Sequence, residues 1–225
     1  MIGQEGLMNA IRGRAKKHRL PKAWLLIGDS GLGKTTLARI LAVSYQCKHQ
    51  KYFGEPCLEC IKAFSRREFP IFELDIVDQT GVDELRKFLS DSEREFLGKG
   101  ERRVYILDEC HLLSKRGLSL LLKYLEDASN KTIWILCSTE SHLLLKTVRR
   151  RCAKYALKPL STDEVLACVK YFLALAKSDR NSDEITDALI TRQIDSPGFI
   201  AQAVDKYASG ESAEKAADIE ASTDV

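Results

Sequence analysis

No run of apolar residues in this chain reaches the ~20 that a membrane-spanning helix needs, so the sequence offers no transmembrane segment and no membrane partner. Met1 to Leu20 has scattered bases but neither an apolar core nor a small-residue cleavage pattern, so no secretory signal is expected. An excess of one charge is also lacking. Lys and Arg number 35 against 32 Asp and Glu, a formal charge of +3, so any nucleic-acid surface has to come from local clustering. Internal repeats are absent. What is present is 44% hydrophobic and 30% charged residues over 225 positions, the composition of a soluble globular protein with room for one large domain, or one domain and a small companion. Seven cysteines without a signal point to reduced thiols or metal ligands in a cytoplasmic setting.

Strand-like runs alternate with helical patterns through the first two-thirds. Ala23–Ile27, Ile71–Leu74, Arg103–Leu107 and Ile133–Cys137 are short and apolar without strict alternation, as strands buried on both faces should be. Helical stretches at Thr36–Tyr45, Val82–Ser92 and Ser114–Ala128 lie between them, the last with Leu118, Leu121, Leu122 and Leu125 on one face. This alternation predicts a parallel α/β sheet, completed by a fifth strand at Ala153–Leu157. Pro159 breaks the pattern. Beyond it Val165, Val169, Phe172 and Leu173 form a helical stripe, and Ile185, Leu189 and the stretch after Pro197 suggest two more helices. The expected organisation is a nucleotide-binding domain over 1–159, an all-helical lid over 160–207 and a disordered acidic tail over 208–225.

The chemistry is concentrated in two motifs. Gly28-Asp29-Ser30-Gly31-Leu32-Gly33-Lys34-Thr35, followed by Thr36, is a full P-loop between a strand and a helix. Its glycines let backbone N–H groups cradle phosphates at a helix N-terminus. Lys34 supplies a cation to the outer phosphates of ATP, and the Thr35 hydroxyl suits Mg2+. The second motif, Val104-Tyr105-Ile106-Leu107-Asp108-Glu109, is an apolar strand ending in two carboxylates. A parallel strand delivers such residues to the nucleotide edge of the sheet. There Asp108 can hold Mg2+ through water, and Glu109 can orient or deprotonate the attacking water.

These motifs, with Ile2-Gly3-Gln4-Glu5, Gly81-Val82-Asp83-Glu84-Leu85-Arg86, the run from Tyr105 to Ser114 and Leu121-Leu122-Lys123-Tyr124-Leu125-Glu126, resemble AAA+ clamp-loader ATPases. The likeness is to the gamma/tau subunits of bacterial DNA polymerase III and then to the small subunits of replication factor C. It is strongest over residues 2 to 160. The resemblance implies a P-loop AAA+ five-stranded parallel sheet with a small helical lid. It also implies a first sensor at Thr139, where a hydroxyl can report the γ-phosphate. Arg149-Arg150-Arg151-Cys152 stands where the family has Ser-Arg-Cys, making Arg151 the arginine finger that acts on a neighbour's site; a basic helix end stabilising its dipole is the alternative. The family's bacterial members carry four cysteines as a zinc module. Here Cys47, Cys57 and Cys60 match three of them within 47–63, and Ala63 replaces the fourth. A closed tetrahedral site needs four ligands. His49 can supply the missing one to Zn2+; otherwise the thiols only pack.

Two departures stand out. Phe199 lies near the position of the family's second-sensor arginine, and the chain stops before the helical collar of clamp loaders. Arg86, Lys87, Lys115, Arg116 and the stretch Arg12 to Arg19 are candidate contacts to a DNA backbone, or ordinary solvated bases. The resemblance implies an ATP-hydrolysing subunit in a ring or spiral with other clamp-loader subunits. Its partners are a sliding clamp and primer-template DNA, in the cytoplasm with the nucleoid or in a host cytoplasm. The rival expectations are a structural ring subunit that binds ATP with little hydrolysis, and an AAA+ helicase loader or DNA-remodelling motor.

Overall fold

The computed structural model describes residues 1–76, 82–90, 102–126 and 131–219. They divide into two compact units. One comprises Gly6–Asp29 and Lys34–Leu157; the other comprises Met1–Glu5, Ser30–Gly33 and the chain from Lys158 onward.

The first unit is built on five strands, β1 (Ala23–Ile27), β2 (Ile71–Asp75), β3 (Arg103–Asp108), β4 (Thr132–Ser138) and β5 (Ala153–Ala156). All pair in parallel, in the order β2-β3-β4-β1-β5. The expected five-stranded parallel sheet is therefore present, each strand lying within a residue of its predicted bounds at either end. Helices α1 (Glu5–Lys16), α2 (Lys34–Gln46), α3 (Leu58–Ser65), α4 (Val82–Ser90), α5 (Lys115–Glu126) and α6 (Lys146–Arg151) accompany the strands. The expected continuations of α4 to Ser92 and of α5 to Ala128, and Gly81 at the head of α4, lie outside the described residues.

Strands buried on both faces read as uninterrupted apolar runs, and β4 is buried at every position. Register does the rest. Phe72, Tyr105 and Trp134 stand opposite one another on β2, β3 and β4, stacked with ring centroids 4.9 and 4.8 Å apart. Such pairs contribute about 0.5–1.5 kcal/mol each beyond their burial. This row packs with Leu85 and Leu89 of α4 and Leu118, Leu121 and Leu125 of α5 in one core, which ties the sheet's register to its helical cover.

The second unit is helical: α7 (Thr162–Leu175), α8 (Ser182–Thr191), α9 (Pro197–Ala208) and α10 (Ala213–Ala216). Its core joins Val165, Val169 and Leu173 to Ile185, Leu189, Ile200 and Val204. Helix starts follow the local chemistry. The Ser161 N–H donates to Glu164 Oε2 at 2.8 Å, Asn181 accepts from the Asp183 amide at 2.9 Å, and Pro197 occupies the first turn of α9.

The expected disorder from Ala208 needs correction as far as Ile219. Ala213, Ala216 and Ala217 are buried in this core. The Arg180 guanidinium donates to the carbonyls of Tyr207 and of Glu211, the latter at 2.8 Å. Alanines bury too little area to register as an apolar stripe, and the acidic neighbours masked them. Residues 220–225 lie outside the described set. Among the described residues no helix is long and apolar enough to cross a membrane.

Candidate active site

Parallel strands all present their C-terminal ends at one edge of the sheet, and the first unit's reactive groups gather there. After β1 the chain enters the P-loop, whose Gly31 and Gly33 hold φ of +75 and +90. L-residues rarely adopt that conformation, and it lets the loop fold back before α2 begins at Lys34. Lys34 is buried, so its ammonium needs partners. Its Nζ donates to the Asp29 carbonyl at 3.0 Å and lies 3.8 Å from Glu109 Oε1. The Thr35 hydroxyl donates to Asp108 Oδ2, and Asp108 Oδ1 accepts the Glu109 amide at 3.0 Å.

Glu109 adopts the left-handed conformation, φ 45 and ψ 42, between β3 and a short 3-10 turn at Cys110–Leu112. A non-glycine there costs of order 1–3 kcal/mol, and such strain recurs at active sites, although in this chain His18, Arg67, Lys177 and Gln193 also hold positive φ. Thr139, directly after β4, donates to Glu109 Oε2 from its amide at 3.3 Å and its hydroxyl at 3.2 Å. Lys34, Thr35, Asp108, Glu109 and Thr139 are thus brought together.

Sequence reasoning missed two neighbours. Asp75 ends β2 in register with Asp108. Burial, then the negative charges of Asp108, Glu109 and Glu73, raise its pKa above the ordinary value. Its signal was the strand carrying one acidic residue past Leu74. His111, in the 3-10 turn, lies beside both Glu109 and Thr139, and no pattern in the chain announced that. The surplus of carboxylates over the one ammonium, with the Thr35 and Asp108 oxygens facing each other, is a hard-oxygen donor set that fits Mg2+.

In the second unit, the P-loop tip Ser30–Gly33 clusters with the helices. The Gly198 amide donates to the Gly31 carbonyl at 2.9 Å. Phe199 stands close by, its Cδ2 3.7 Å from where a Cβ on Gly31 would be.

Arg151 is not at this site. It ends α6 just before β5, and Ala153 pairs with Trp24 near the start of β1, so it sits at the opposite, N-terminal edge of the sheet. A strand of this length spans about 13–16 Å at ~3.3 Å per residue. Its guanidinium donates to Glu126 Oε1 at 2.9 Å, with the side chains 55% and 44% exposed. Such an exposed pair contributes about 0–1 kcal/mol, so Arg151 can be released to a partner at little cost. Beside it is a cavity of about 410 Å³ lined by Lys22, Leu125, Glu126, Arg150, Arg151 and Cys152. The candidate DNA contacts are mixed. Arg86 pairs with Asp83 and Arg12 with Glu55, while Lys87, Lys115 and Arg116 are exposed.

Cys47, Cys57 and Cys60 converge, their sulfurs within 4.8 Å of one another, and His49 is not in that group. The Cys57 amide donates to Cys47 Sγ at 3.4 Å. Hydrogen bonding from the Cys60 amide, then from the Cys60, Cys47 and His49 side chains, lowers the Cys57 thiol to about 7. Burial first, then the neighbouring thiols, push Cys60 up to about 12. The three thiols are grouped closely enough to hold a metal ion, one short of the four ligands that a closed zinc site needs.

A parallel sheet carrying a P-loop after β1, acids after β3 and a hydroxyl after β4, with a helical second unit, is the architecture of an AAA+ ATPase. The solved structure of the Thermotoga maritima RuvB Holliday junction branch migration motor has this fold. It matches with a TM-score of 0.62 at 22% identity, over 91% of this chain and 61% of that one. The chain belongs to the family described as DNA polymerase III, delta subunit, which matches residues 3–161. Among relatives, DNA polymerase III subunit gamma of Buchnera aphidicola subsp. Baizongia pistaciae (strain Bp) is 33% identical over 176 residues, 77% of this chain and 47% of that protein. DNA polymerase III subunit tau of Escherichia coli (strain K12) is 29% identical over 176 residues, 77% of this chain and 27% of that protein. The chain spans about half the length of the Buchnera relatives it matches.

Proposed function

We propose that this chain binds and hydrolyses ATP with Mg2+ as one subunit of a sliding-clamp loader, coupling ATP to placement of a clamp on primed DNA in the cytoplasm. The observation that carries the reading is the convergence of Lys34, Thr35, Asp108 and Glu109 on one edge of the sheet. In this reading the P-loop amides and Lys34 hold the phosphates, and Thr35 and Asp108 hold Mg2+. Glu109 orients the attacking water, and Thr139 reports the γ-phosphate. The bound metal would supply positive charge between the phosphate oxygens. Arg151 is assigned to a neighbouring subunit's site, and Lys87, Lys115 and Arg116 to the DNA backbone, which such proteins contact without reading bases. The relatives named as DNA polymerase III subunits support the replication setting.

The deciding measurement is the native mass of the assembly with and without Mg–ATP, with the co-purifying subunits identified. A ring or spiral containing other clamp-loader subunits is expected. A monomer in both states, with hydrolysis indifferent to protein concentration and to primed DNA, overturns the reading. Phe199 in place of the second-sensor arginine favours one rival, a ring member that binds ATP but hydrolyses little.

We further assign Zn2+ to Cys47, Cys57 and Cys60, with His49 as the candidate fourth ligand. Its role is structural, since no acid–base partner is evident there. Protein purified without chelator is expected to hold about one zinc per chain, as a closed four-ligand site requires. Stripped of metal at pH 7, Cys57 is expected to alkylate well before Cys60, because its thiol is brought down to about 7 while Cys60 stands near 12. Peptide mapping after iodoacetamide checks this. Metal-free, stable protein with equal labelling at both positions contradicts the assignment.

A further inference from the structure

Glu109 is flanked from two different elements, and one of the flanking residues has no role in the account above. The His111 side chain is only 7% exposed, with Nδ1 3.3 Å from Glu109 Oε2. Its other ring nitrogen, Nε2, lies 3.4 Å from Thr139 Oγ1. Thr139 closes the triangle by donating to the same Glu109 Oε2 from its amide and its hydroxyl.

Counting protons shows how the triangle works. A neutral imidazole carries one N–H and a threonine hydroxyl one O–H. When the Thr139 hydroxyl donates its hydrogen bond to Glu109, His111 Nε2–H donates to the threonine oxygen, and Nδ1 turns a lone pair toward the carboxylate. That agrees with Nδ1 being buried and without a hydrogen-bond partner. When the Thr139 hydroxyl donates to a phosphate oxygen instead, Glu109 loses a donor. A replacement within this triangle is the other imidazole tautomer, reached when Nε2 gives its proton to water and Nδ1 takes one from water, so that an N–H faces Oε2 from 3.3 Å.

We propose that His111 is a positioning residue that couples Thr139 to Glu109: the threonine hydroxyl sets the imidazole tautomer, and Nδ1 sets where the Glu109 carboxylate points. This rests on the reading of Glu109 as the water-orienting group and Thr139 as the reporter of the γ-phosphate. It makes hydrolysis conditional on the γ-phosphate through a buried side chain that touches no nucleotide.

The test is steady-state ATPase of the assembled protein with His111→Phe, His111→Asn and His111→Gln, beside Thr139→Ala and Glu109→Gln. His111→Phe is expected to lower kcat by roughly tenfold or more, part of the ~10²–10⁴ that a positioned base contributes, with KM within about twofold because no nucleotide contact is lost. His111→Asn, whose amide approximates Nδ1, should restore part of the loss, and His111→Gln, whose amide approximates Nε2, less. His111→Phe combined with Thr139→Ala should be no slower than the slower single variant, as for residues acting as one unit. An unchanged kcat in His111→Phe beside a dead Glu109→Gln overturns the coupling and leaves the ATPase reading standing. A fully active Glu109→Gln overturns the reading of Glu109 as the water-orienting group, on which the coupling rests. Equal losses in all three His111 variants, with a lowered Tm, reduce His111 to packing. The unmodified protein supplies an independent check. The ring nitrogen resonances of His111 should shift between Mg–ADP and a non-hydrolysable Mg–ATP analogue, and unmoved resonances overturn the proposal.

Discussion

Lys34→Ala is expected to lose measurable ATP binding, while Glu109→Gln keeps binding and loses turnover. The two residues lie 3.8 Å apart at their closest polar atoms yet do different work. Lys34 is a buried ammonium, held by a P-loop carbonyl and so aimed where the outer phosphates would lie. Its removal takes away a ground-state contact and leaves Asp108 and Glu109 facing the phosphates uncompensated. In the proposed reading Glu109 is the group that orients the attacking water. Glutamine preserves its shape and hydrogen-bonding reach but not its basicity, so kcat should fall by roughly 10²–10⁴. Calorimetric titration with ATP and phosphate-release kinetics on both variants separate the effects. Equal turnover in wild type and Glu109→Gln would sink the catalytic assignment in favour of a structural ring subunit.

The second large effect is expected from Arg151→Ala. Because Arg151 stands at the N-terminal edge of the sheet and the P-loop leaves from the C-terminal edge, it cannot reach its own γ-phosphate. Nucleotide affinity of the isolated chain should therefore be nearly unchanged. Hydrolysis in the assembly should fall by ~10³–10⁵, since charge developing on a neighbour's phosphate goes uncompensated. The exposed Glu126 partner does not prevent this use, because such a pair is worth at most about 1 kcal/mol. Mixing decides the matter. Arg151→Ala subunits combined with Lys34→Ala subunits should regain partial activity, each completing a site the other lacks. A dead mixture, with either variant active beside wild type, removes the trans role.

Much of this architecture could be read from the chain because its strands are short apolar blocks bounded by charged residues or glycine. Ala23–Ile27 was delimited by Lys22 and Gly28, and those are its observed ends. Lys34, Thr35, Asp108 and Glu109 were legible for a related reason, since motif spacing and strand direction together dictate where they meet. What stayed hidden depends on register or on small side chains. Asp75 joins the site only because β2 runs one residue further and pairs in step with β3. His111 joins through a 3-10 turn that no periodicity marks. The burial of Ala213, Ala216 and Ala217 is invisible to any argument based on large apolar residues.

The strand order has a consequence for how the chain comes off the ribosome. β1 lies near the N-terminus, yet its partners on either side are β4 and β5, so Ala23 waits roughly 110 residues for Trp134, a separation of the kind that slows folding. Until then Trp24, Leu25 and Leu26, all fully buried in the finished sheet, stay unpaired in an unfinished structure. At about 5–20 residues per second that exposure lasts several seconds or longer. This interior strand is thus left open to misassociation during synthesis, where a holding chaperone would find it.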